Sequence, residues 1–475
     1  MLVPIFGLLL HLPNDLRADG AAPVELVAQG APVASIVVDR NAPEFTRLGA
    51  ETLARYLFEI SGARLPILHE PDEEAKGAII WVGSHQALAT HHPDLDLVLT
   101  KPEETLIQTA GKDLILLGRD VVAKDGTQLE GGTNLAVSSF IEEQLGVRWL
   151  WPGELGTDIP RSRDIRVAPL ALRYAPQVRL RSLRYTNYQR SYRELAPKSR
   201  ERLAEVIEHP LQWVDQKDQE ARQWLNHHRT DAPPAGAKAN CLAGSLANYR
   251  NRHAFSDWYK KYGVANPEWF AQQPDGTRLP YPKPSYVKMC VSNPEVAKQW
   301  LRNAKEFFDK NPNASTFEAG ENDFGWQGYC VCERCLAMDN KEAEILEQEL
   351  RWKGVKKPFY ALTDRYVKFW NSLARSLKEE YPDRDVNVSV YAYHVTRPAP
   401  SIPLEENVIP TFIGIERRFY HRNNREHTAE QRKMWNQWWE AAGRRNVLIW
   451  RPNIMYKNLG LPYIFTKRHS ETMQY

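Results

Sequence analysis

The sequence has no long apolar run, no block of like charge and few cysteines. Its 475 residues carry 62 Lys and Arg against 59 Asp and Glu, which gives a formal net charge of +3. Basic residues cluster only in short pairs such as Lys356-Lys357, too few for a nucleic-acid or anionic-membrane surface. No stretch approaches the roughly 20 apolar residues of a membrane-spanning helix. These absences exclude nucleic acid and a membrane span, and the missing Gly-x-Ser-x-Gly motif disfavours a serine hydrolase.

Aromatic residues, in contrast, are abundant. The chain contains 15 Trp and 20 Tyr, and 43% of its residues are apolar. Most such rings fill cores, but Trp and Tyr also stack on the apolar faces of sugars while their polar tips bind hydroxyls. The length fits about two or three domains, each with its own core.

The first 22 residues resemble a secretory signal peptide. Residues 2–12 are almost wholly apolar, and the small residues Ala18, Gly20, Ala21 and Ala22 follow where a signal peptidase cuts. A misplaced start codon and a buried strand are the alternatives. We expect the protein to be secreted or periplasmic.

Residues 30–170 are predicted to form a small α/β domain. Apolar runs at 33–38, 78–82 and 114–117 predict strands, and apolar residues at helical spacing predict helices over 45–60 and 133–145. The first helix is expected to end at Gly62. The segment 151–176, rich in Pro and Arg and without periodicity, marks the domain boundary.

Residues 176–475 repeat a strand and helix pattern at wider spacing. Helices are predicted over 364–381 and 428–442, the second with Thr428 as its N-cap. The predicted strands lie at 178–185, 287–291, 316–319, 386–393, 408–415 and 447–450, with a further weak candidate at 240–246. This pattern predicts a (β/α)8 TIM-like barrel, with a doubly wound sheet as the alternative. An eighth strand is missing, and three alternatives account for it: the gene is a fragment, the barrel is incomplete at its C-terminus, or the strand count is one too low.

The exit of the fourth predicted barrel strand is acidic. If the chain stays extended there, Glu321 and Asp323 point to the same side, about 6 to 7 Å apart. Two such carboxyl groups suit glycoside hydrolysis, in which one protonates the leaving oxygen and the other supports the developing positive charge. The alternative is structural: Asp323 caps the next segment and Glu321 pairs with an arginine.

Other strand exits carry aromatic and polar side chains suited to a sugar cleft. Glu416, at the end of the sixth predicted strand, is a further candidate catalytic acid. The predicted substrate-binding residues are Glu318, Asn322, Trp326, Tyr391, Tyr393, His394, Arg417 and Trp450.

A Cys-x-Cys-x-x-Cys motif follows the acidic segment. Cys330, Cys332 and Cys335 could hold a structural zinc with a fourth ligand, for which Cys290, Cys241 and His253 are the candidates. Disulfides or free thiols are the alternatives. No cofactor and no catalytic metal are predicted, although a metal-dependent enzyme centred on these cysteines is a further hypothesis.

Six stretches of the sequence form a recognisable set: 146–149, 151–154, 266–270 with 275–276, 290–296, 321–323 and the cysteine motif. Together they resemble the bacterial DUF4838 family, a domain of unknown function, and with it the endo-β-N-acetylglucosaminidases of glycoside hydrolase family 163. The N-terminal part resembles the small α/β domain of α-glucuronidases and β-hexosaminidases.

The resemblance implies a glycosidase barrel that acts on complex glycans with acids at its fourth strand. It also implies that the acetamido group of the substrate is the nucleophile, that one carboxylate orients it, and that the other is the general acid. Glu321 and Asp323 are expected to take these roles, with either assignment open. The alternative is a non-catalytic carbohydrate-binding protein or a degenerate glycosidase.

Overall fold

A computed structural model describes residues 22–72, 74, 77–176, 181, 188–230, 252–323, 327–352, 355–414, 425–444 and 449–452. They divide into two compact units, the first within residues 22–230 and the second within residues 252–452. The predicted signal peptide, apart from residue 22, lies outside the described residues, as do the predicted strand at 240–246 and most of that at 178–185. No described helix is both long and apolar enough to cross a bilayer.

The first unit contains thirteen strands and six helices among its described residues. The strands are β1 (Val24–Ala28), β2 (Ala31–Pro32), β3 (Ala34–Val37), β4 (Ile67–Leu68), β5 (Ala78–Val82), β6 (Thr105–Ala110), β7 (Asp113–Gly118), β8 (Asp120–Val122), β9 (Gln128–Gly131), β10 (Arg148–Trp149), β11 (Thr157–Asp158), β12 (Ile165–Val167) and β13 (Ala171–Tyr174). The helices are α1 (Glu44–Ser61), α2 (Gln86–His91), α3 (Gly132–Glu143), α4 (Tyr188–Glu194), α5 (Pro197–Val206) and α6 (Pro210–His227).

A six-stranded sheet in the order β13-β6-β7-β5-β3-β4 forms the centre of this unit. Strands β7, β5, β3 and β4 are parallel, whereas β6 and β13 pair antiparallel. All five residues of β5 are buried, which explains its unbroken apolar sequence. Helix α1 ends where predicted, because Gly62 adopts a left-handed conformation with φ of 78°. The predicted α/β layering is therefore confirmed.

Helix α6 packs into the same unit. The Asn134 side chain of α3 donates a hydrogen bond of 3.1 Å to Asn226, and the Trp149 ring stacks on His227 at 4.0 Å between centroids. The first compact unit thus includes helices that follow the boundary expected near residue 170.

The second unit contains six strands and five helices among its described residues. The strands are β14 (Thr316–Glu318), β15 (Ile345–Trp352), β16 (Val355–Tyr360), β17 (Asn387–Ala392), β18 (Val408–Gly414) and β19 (Ile449–Pro452). The helices are α7 (Trp258–Tyr262), α8 (Pro294–Lys310), α9 (Glu333–Leu336), α10 (Thr363–Glu380) and α11 (Arg425–Ala441).

Strands β14, β17, β18 and β19 form one sheet in that order, and every pair is parallel. Helix α10 leads from β14 to β17 and α11 from β18 to β19, which is the expected β-α-β connection. Because the strands are parallel, their carboxyl ends meet at one edge of the sheet. This edge is where the predicted site residues that follow β14 and β17 lie.

Two predicted elements differ from the structure. Residues 287–291 are not a strand, since Met289 forms only an isolated bridge with Phe270 and the buried Lys288 reaches instead to the carbonyl oxygens that follow β14. Helix α11 begins at Arg425, so the prediction that Thr428 is its N-cap was wrong.

Candidate active site at the carboxyl edge of the parallel sheet

The alternation of side chains along β14 sets the direction of Glu318. Phe317 faces α8, where its ring packs 5.3 Å from Trp300, so Thr316 and Glu318 point to the opposite face of the sheet. Glu318 is 9% exposed, and its carbonyl oxygen accepts a hydrogen bond of 2.9 Å from the Trp300 indole. The predicted substrate-binding residue Glu318 is therefore nearly buried beside the acidic segment.

Gly320 allows two elements to approach the chain directly after β14. It forms a parallel bridge with His253, and a Cβ at this position would lie 2.6 Å from a Tyr391 ring carbon and 2.8 Å from the Arg252 carbonyl oxygen. No side chain larger than hydrogen fits there without a shift. The His253 ring lies 5.5 Å from the Tyr391 ring. The missing Cβ thus brings the predicted residue Tyr391 beside the acids.

Glu321 is held by two donors. Its Oε2 accepts a hydrogen bond of 2.6 Å from the Tyr366 hydroxyl at the start of α10, and its Oε1 accepts one of 3.0 Å from the Asn322 N–H. Burial raises the pKa of Glu321, although the nearby Lys288 and these two hydrogen bonds oppose the change. A carboxyl group with a raised pKa remains protonated to higher pH, as a general acid requires.

Lys288 is fully buried beneath the acidic segment. Its ammonium group donates hydrogen bonds to the carbonyl oxygens of Asn322 and, at 2.9 Å, of Asp323, and it lies 5.1 Å from the centre of the Tyr329 ring. Burial lowers the pKa of Lys288 to about 8, against the opposing effect of Glu321 and Asp323. The two acids therefore share one buried cation.

Asn322 anchors the segment between the two acids. Its side chain is 3% exposed, donates a hydrogen bond of 2.6 Å to the Val287 carbonyl oxygen, and accepts one of 3.2 Å from the Phe255 N–H. The side chain predicted to bind substrate is thus engaged with backbone on two neighbouring segments. Asp323, in contrast, is exposed, so the two acids have different surroundings.

The exit of β17 supplies further predicted residues. Tyr391, Tyr393 and His394 are half-buried, and the Tyr393 and His394 rings lie 3.6 Å apart. His394 has φ of 52°, a left-handed conformation that costs a non-glycine residue on the order of 1 kcal/mol. Thr396 stabilises this turn through a hydrogen bond of 2.9 Å to the Tyr391 carbonyl oxygen.

Of the other predicted site residues, Trp450 lies within β19, in register with Phe412. Trp326, Glu416 and Arg417 lie outside the described residues.

Sequence analysis missed two residues that contact the acidic segment. Lys288 was predicted to be part of a strand, and Tyr366 lies in the helix predicted over 364–381. The available signal was the charged Lys288 between apolar neighbours, because a buried lysine needs partners. Tyr366 carried no such signal.

The cysteine prediction gains a definite fourth member. Cys290, Cys330, Cys332 and Cys335 are all buried, and their sulfur atoms lie within 4.8 Å of one another. His253 is elsewhere, since its Nδ1 lies 2.7 Å from the Glu321 carbonyl oxygen. Cys241 lies outside the described residues. Four buried cysteines therefore form a cluster that could bind a metal.

A cavity of about 600 Å³ lies away from these acids. It lies beside the amino end of β18, which is the opposite edge of the sheet. Its lining residues are Asn371, Arg375, Lys378, Glu379 and residues 402–407. The cavity is separate from the candidate site.

The profile of a family described as a domain of unknown function, DUF4838, matches residues 151–471, which is more than half of the chain. The chain belongs to the DUF4838 family. This confirms the resemblance to that family, while a relation to family 163 and the kinship of the N-terminal domain stay predictions. No curated protein matches the chain in sequence.

Solved structures similar to this DUF4838 protein include glycoside hydrolases. A family GH115 4-O-methyl-α-glucuronidase, BtGH115A, is 14% identical, and the alignment covers 90% of this chain and 55% of that one, with a TM-score of 0.47. Flavobacterium johnsoniae chitobiase is 12% identical, and the alignment covers 83% of this chain and 53% of that one, with a TM-score of 0.39. Streptomyces plicatus N-acetyl-β-hexosaminidase is 11% identical, and the alignment covers 91% of this chain and 72% of that one, with a TM-score of 0.37. The chain spans about half the length of the first two.

Proposed function

We propose that this protein is a glycoside hydrolase that acts on complex glycans containing N-acetylhexosamine, with an endo-β-N-acetylglucosaminidase-like reaction in a (β/α)8 barrel. The observation that carries the proposal is Glu321, a carboxyl group with a raised pKa at the carboxyl edge of parallel strands, two residues from the exposed Asp323. Catalytic groups of parallel barrels lie at this edge. The rings of Tyr391 and His253 beside Gly320 supply surfaces for a sugar.

In this proposal Glu321 is the proton donor and Asp323 is the orienting carboxylate. Glu321 gives its proton to the glycosidic oxygen as the bond from that oxygen to the anomeric carbon breaks. The acetamido oxygen of the substrate forms a new bond to that carbon, while the Asp323 carboxylate accepts a hydrogen bond from the acetamido N–H. Water then opens the cyclic intermediate and returns a proton to Glu321. The two carboxyl groups, the acetamido group of the substrate and water supply every group that this reaction needs, so it requires no cofactor.

Tyr366 and Lys288 position the proton donor. The Tyr366 hydrogen bond fixes one carboxyl oxygen of Glu321, and Lys288 fixes the backbone carbonyl groups of Asn322 and Asp323. The positive charge of Lys288 also limits how far burial raises the pKa of Glu321. This balance keeps the acid able to lose and regain its proton in each catalytic cycle.

The test is a glycan panel analysed by mass spectrometry for released products. Glu321→Gln and Asp323→Asn should each lower turnover at least about 100-fold, since general acid–base groups contribute roughly that much. Glu379→Gln, at an exposed position near the end of α10, is the matched control and should keep full activity. Full activity in both site variants would contradict the proposal, and glycan binding without any product would favour a carbohydrate-binding protein instead.

A further inference from the structure

We propose that Cys290, Cys330, Cys332 and Cys335 bind one zinc ion in a structural, tetrahedral site. The Cys290 sulfur lies 3.7 Å from that of Cys332 and 3.8 Å from that of Cys335. Four sulfur atoms placed about 2.3 Å from a central zinc ion lie about 3.8 Å from one another, which is the edge of that tetrahedron. A disulfide would instead bring two sulfur atoms to about 2.05 Å. These two distances match the spacing of metal ligands, and all four sulfur atoms lie within 4.8 Å of one another.

Polar groups around the sulfur atoms suit thiolates better than an apolar core of free thiols. The Gln272 N–H donates a hydrogen bond of 3.2 Å to the Cys330 sulfur. The Arg278 guanidinium donates hydrogen bonds to the Phe270 carbonyl oxygen and, at 3.4 Å, to the Gln272 side chain, which places its positive charge beside the same segment. Four thiolates and one zinc ion carry a net charge of −2, which the guanidinium charge offsets in part. Such outer partners orient and stabilise metal ligands.

The four ligands come from two separated segments. Cys290 follows Lys288 by two residues, whereas the other three lie on the turn and the short helix α9 after the acidic segment. The Leu336 N–H donates a hydrogen bond of 3.0 Å to the Cys332 carbonyl oxygen, which closes the turn that presents Cys332 and Cys335 together. With four protein ligands no coordination position is left for substrate, so the site is structural.

This site would fix the segments that hold the acids. Lys288 lies two residues before the ligand Cys290, and its ammonium group donates hydrogen bonds to the carbonyl oxygens of Asn322 and Asp323. On α10, Arg365 donates a hydrogen bond of 2.8 Å to the Cys330 carbonyl oxygen, and its neighbour Tyr366 donates to Glu321. The metal site and the acidic segment therefore share two supports. The assignment of the metal does not depend on the proposed hydrolysis.

The first test is the metal content of the full chain, purified with a reductant and without chelator. Elemental mass spectrometry should find about one zinc per chain. The Cys332→Ser/Cys335→Ser variant should lose it, while Cys241→Ser, which changes the remaining cysteine, should retain it. If the double variant does not fold, titration of the wild-type protein with a mercurial reagent should release the zinc, detected by a chromogenic chelator.

The second test measures hydrogen exchange after the metal is removed. Amide exchange should become faster in the segments 287–291, 319–323 and 328–335, and should stay unchanged in β5 and β7 of the first unit. Absence of stoichiometric metal, iron in place of zinc, or a disulfide between any two of the four cysteines would overturn the assignment. Because no activity enters either test, an inactive but zinc-loaded protein would contradict the proposed hydrolysis alone.

Discussion

His227 and Asp113 of the first unit differ in their surroundings from Glu321 and Lys288 of the second. In the first unit, His227 is buried with its ring stacked on Trp149, and burial lowers its pKa to about 3, so it is neutral. Asp113 in the same unit accepts hydrogen bonds of 2.9 Å from the Ile79 N–H and 3.3 Å from the Trp81 indole. In the second unit, burial shifts the pKa values of Glu321 and Lys288 in opposite directions at one edge of a sheet.

If Glu321 donates a proton as proposed, the difference separates groups that support a fold from groups that serve a reaction. A neutral histidine and a fully bonded carboxylate add specific packing. A half-buried acid and a buried lysine beside an exposed acid cost stability, and such arrangements gather at catalytic sites because their pKa values must match a proton transfer. Changes in the second unit should therefore affect activity more than the packing around them would suggest.

Removal of metal from the four cysteines should have the largest effect on stability, and it should destabilise the second unit rather than the first. If zinc binds the four cysteines, its binding free energy contributes to folding, and in zinc-finger peptides this amounts to on the order of 10 kcal/mol. We expect chelation to lower the free energy of unfolding of the second unit by several kcal/mol. Urea unfolding followed by peptide-level hydrogen exchange measures this for each unit. Equal stability with and without chelator would contradict it.

Gly320→Ala should have the next largest effect. The added Cβ would meet Tyr391 and the Arg252 carbonyl oxygen at under 3 Å, and such overpacking costs about 1–3 kcal/mol. Activity should fall as Tyr391 is displaced. Gly49→Ala in α1 is the control: its nearest neighbour would lie at 3.6 Å, so better helix propensity should stabilise the first unit by about 0.5–1 kcal/mol. Chemical denaturation of both variants measures these changes in the free energy of unfolding. An unchanged free energy of unfolding in Gly320→Ala would contradict the close approach of Tyr391 and Arg252 to Gly320.

His227→Phe should change the acid sensitivity of the first unit. The pKa of His227 is about 3 in the folded protein and about 6.5 when unfolded, so the unfolded chain binds more protons between these values and stability falls as pH drops. At pH 5 this costs about 2 kcal/mol relative to neutral pH. The phenyl ring keeps the stack on Trp149 but cannot titrate. The free energy of unfolding, measured at pH 5 and at neutral pH, should differ less in the variant than in the wild type. The same difference in both proteins would contradict the role of His227.

Much of the fold could be predicted because local patterns determine it. The buried run of β5 and the glycine that ends α1 both match the structure, as do β14, β17 and β18 at the positions where their apolar runs lie. Residues 287–291 show the limit. Their apolar sequence is that of a strand, but the hydrogen bonds of Lys288 to a segment 34 residues away override it.

The acids of the site were predicted, but their surroundings were not. Glu321 and Asp323 stand out because three acids lie within six residues at the end of one short strand, the third being Glu318. The partner that orients Glu321 is Tyr366, 45 residues further along the chain on another element. Periodicity gives the face of a helix that is buried, but it does not give the atom that a tyrosine hydroxyl contacts. Cys290 became the fourth cysteine of the cluster for the same reason, since only the tertiary fold brings it near Cys332.

The pH dependence of kcat/KM on a cleaved glycan, in the wild type and in Lys288→Met, tests the central claim most directly. If Glu321 is the proton donor, activity should fall at alkaline pH as Glu321 loses its proton. Removing the Lys288 charge removes an influence that lowers the pKa of Glu321, so this decline should move to higher pH in the variant. A decline at the same pH in both proteins would contradict the claim that Glu321 donates the proton.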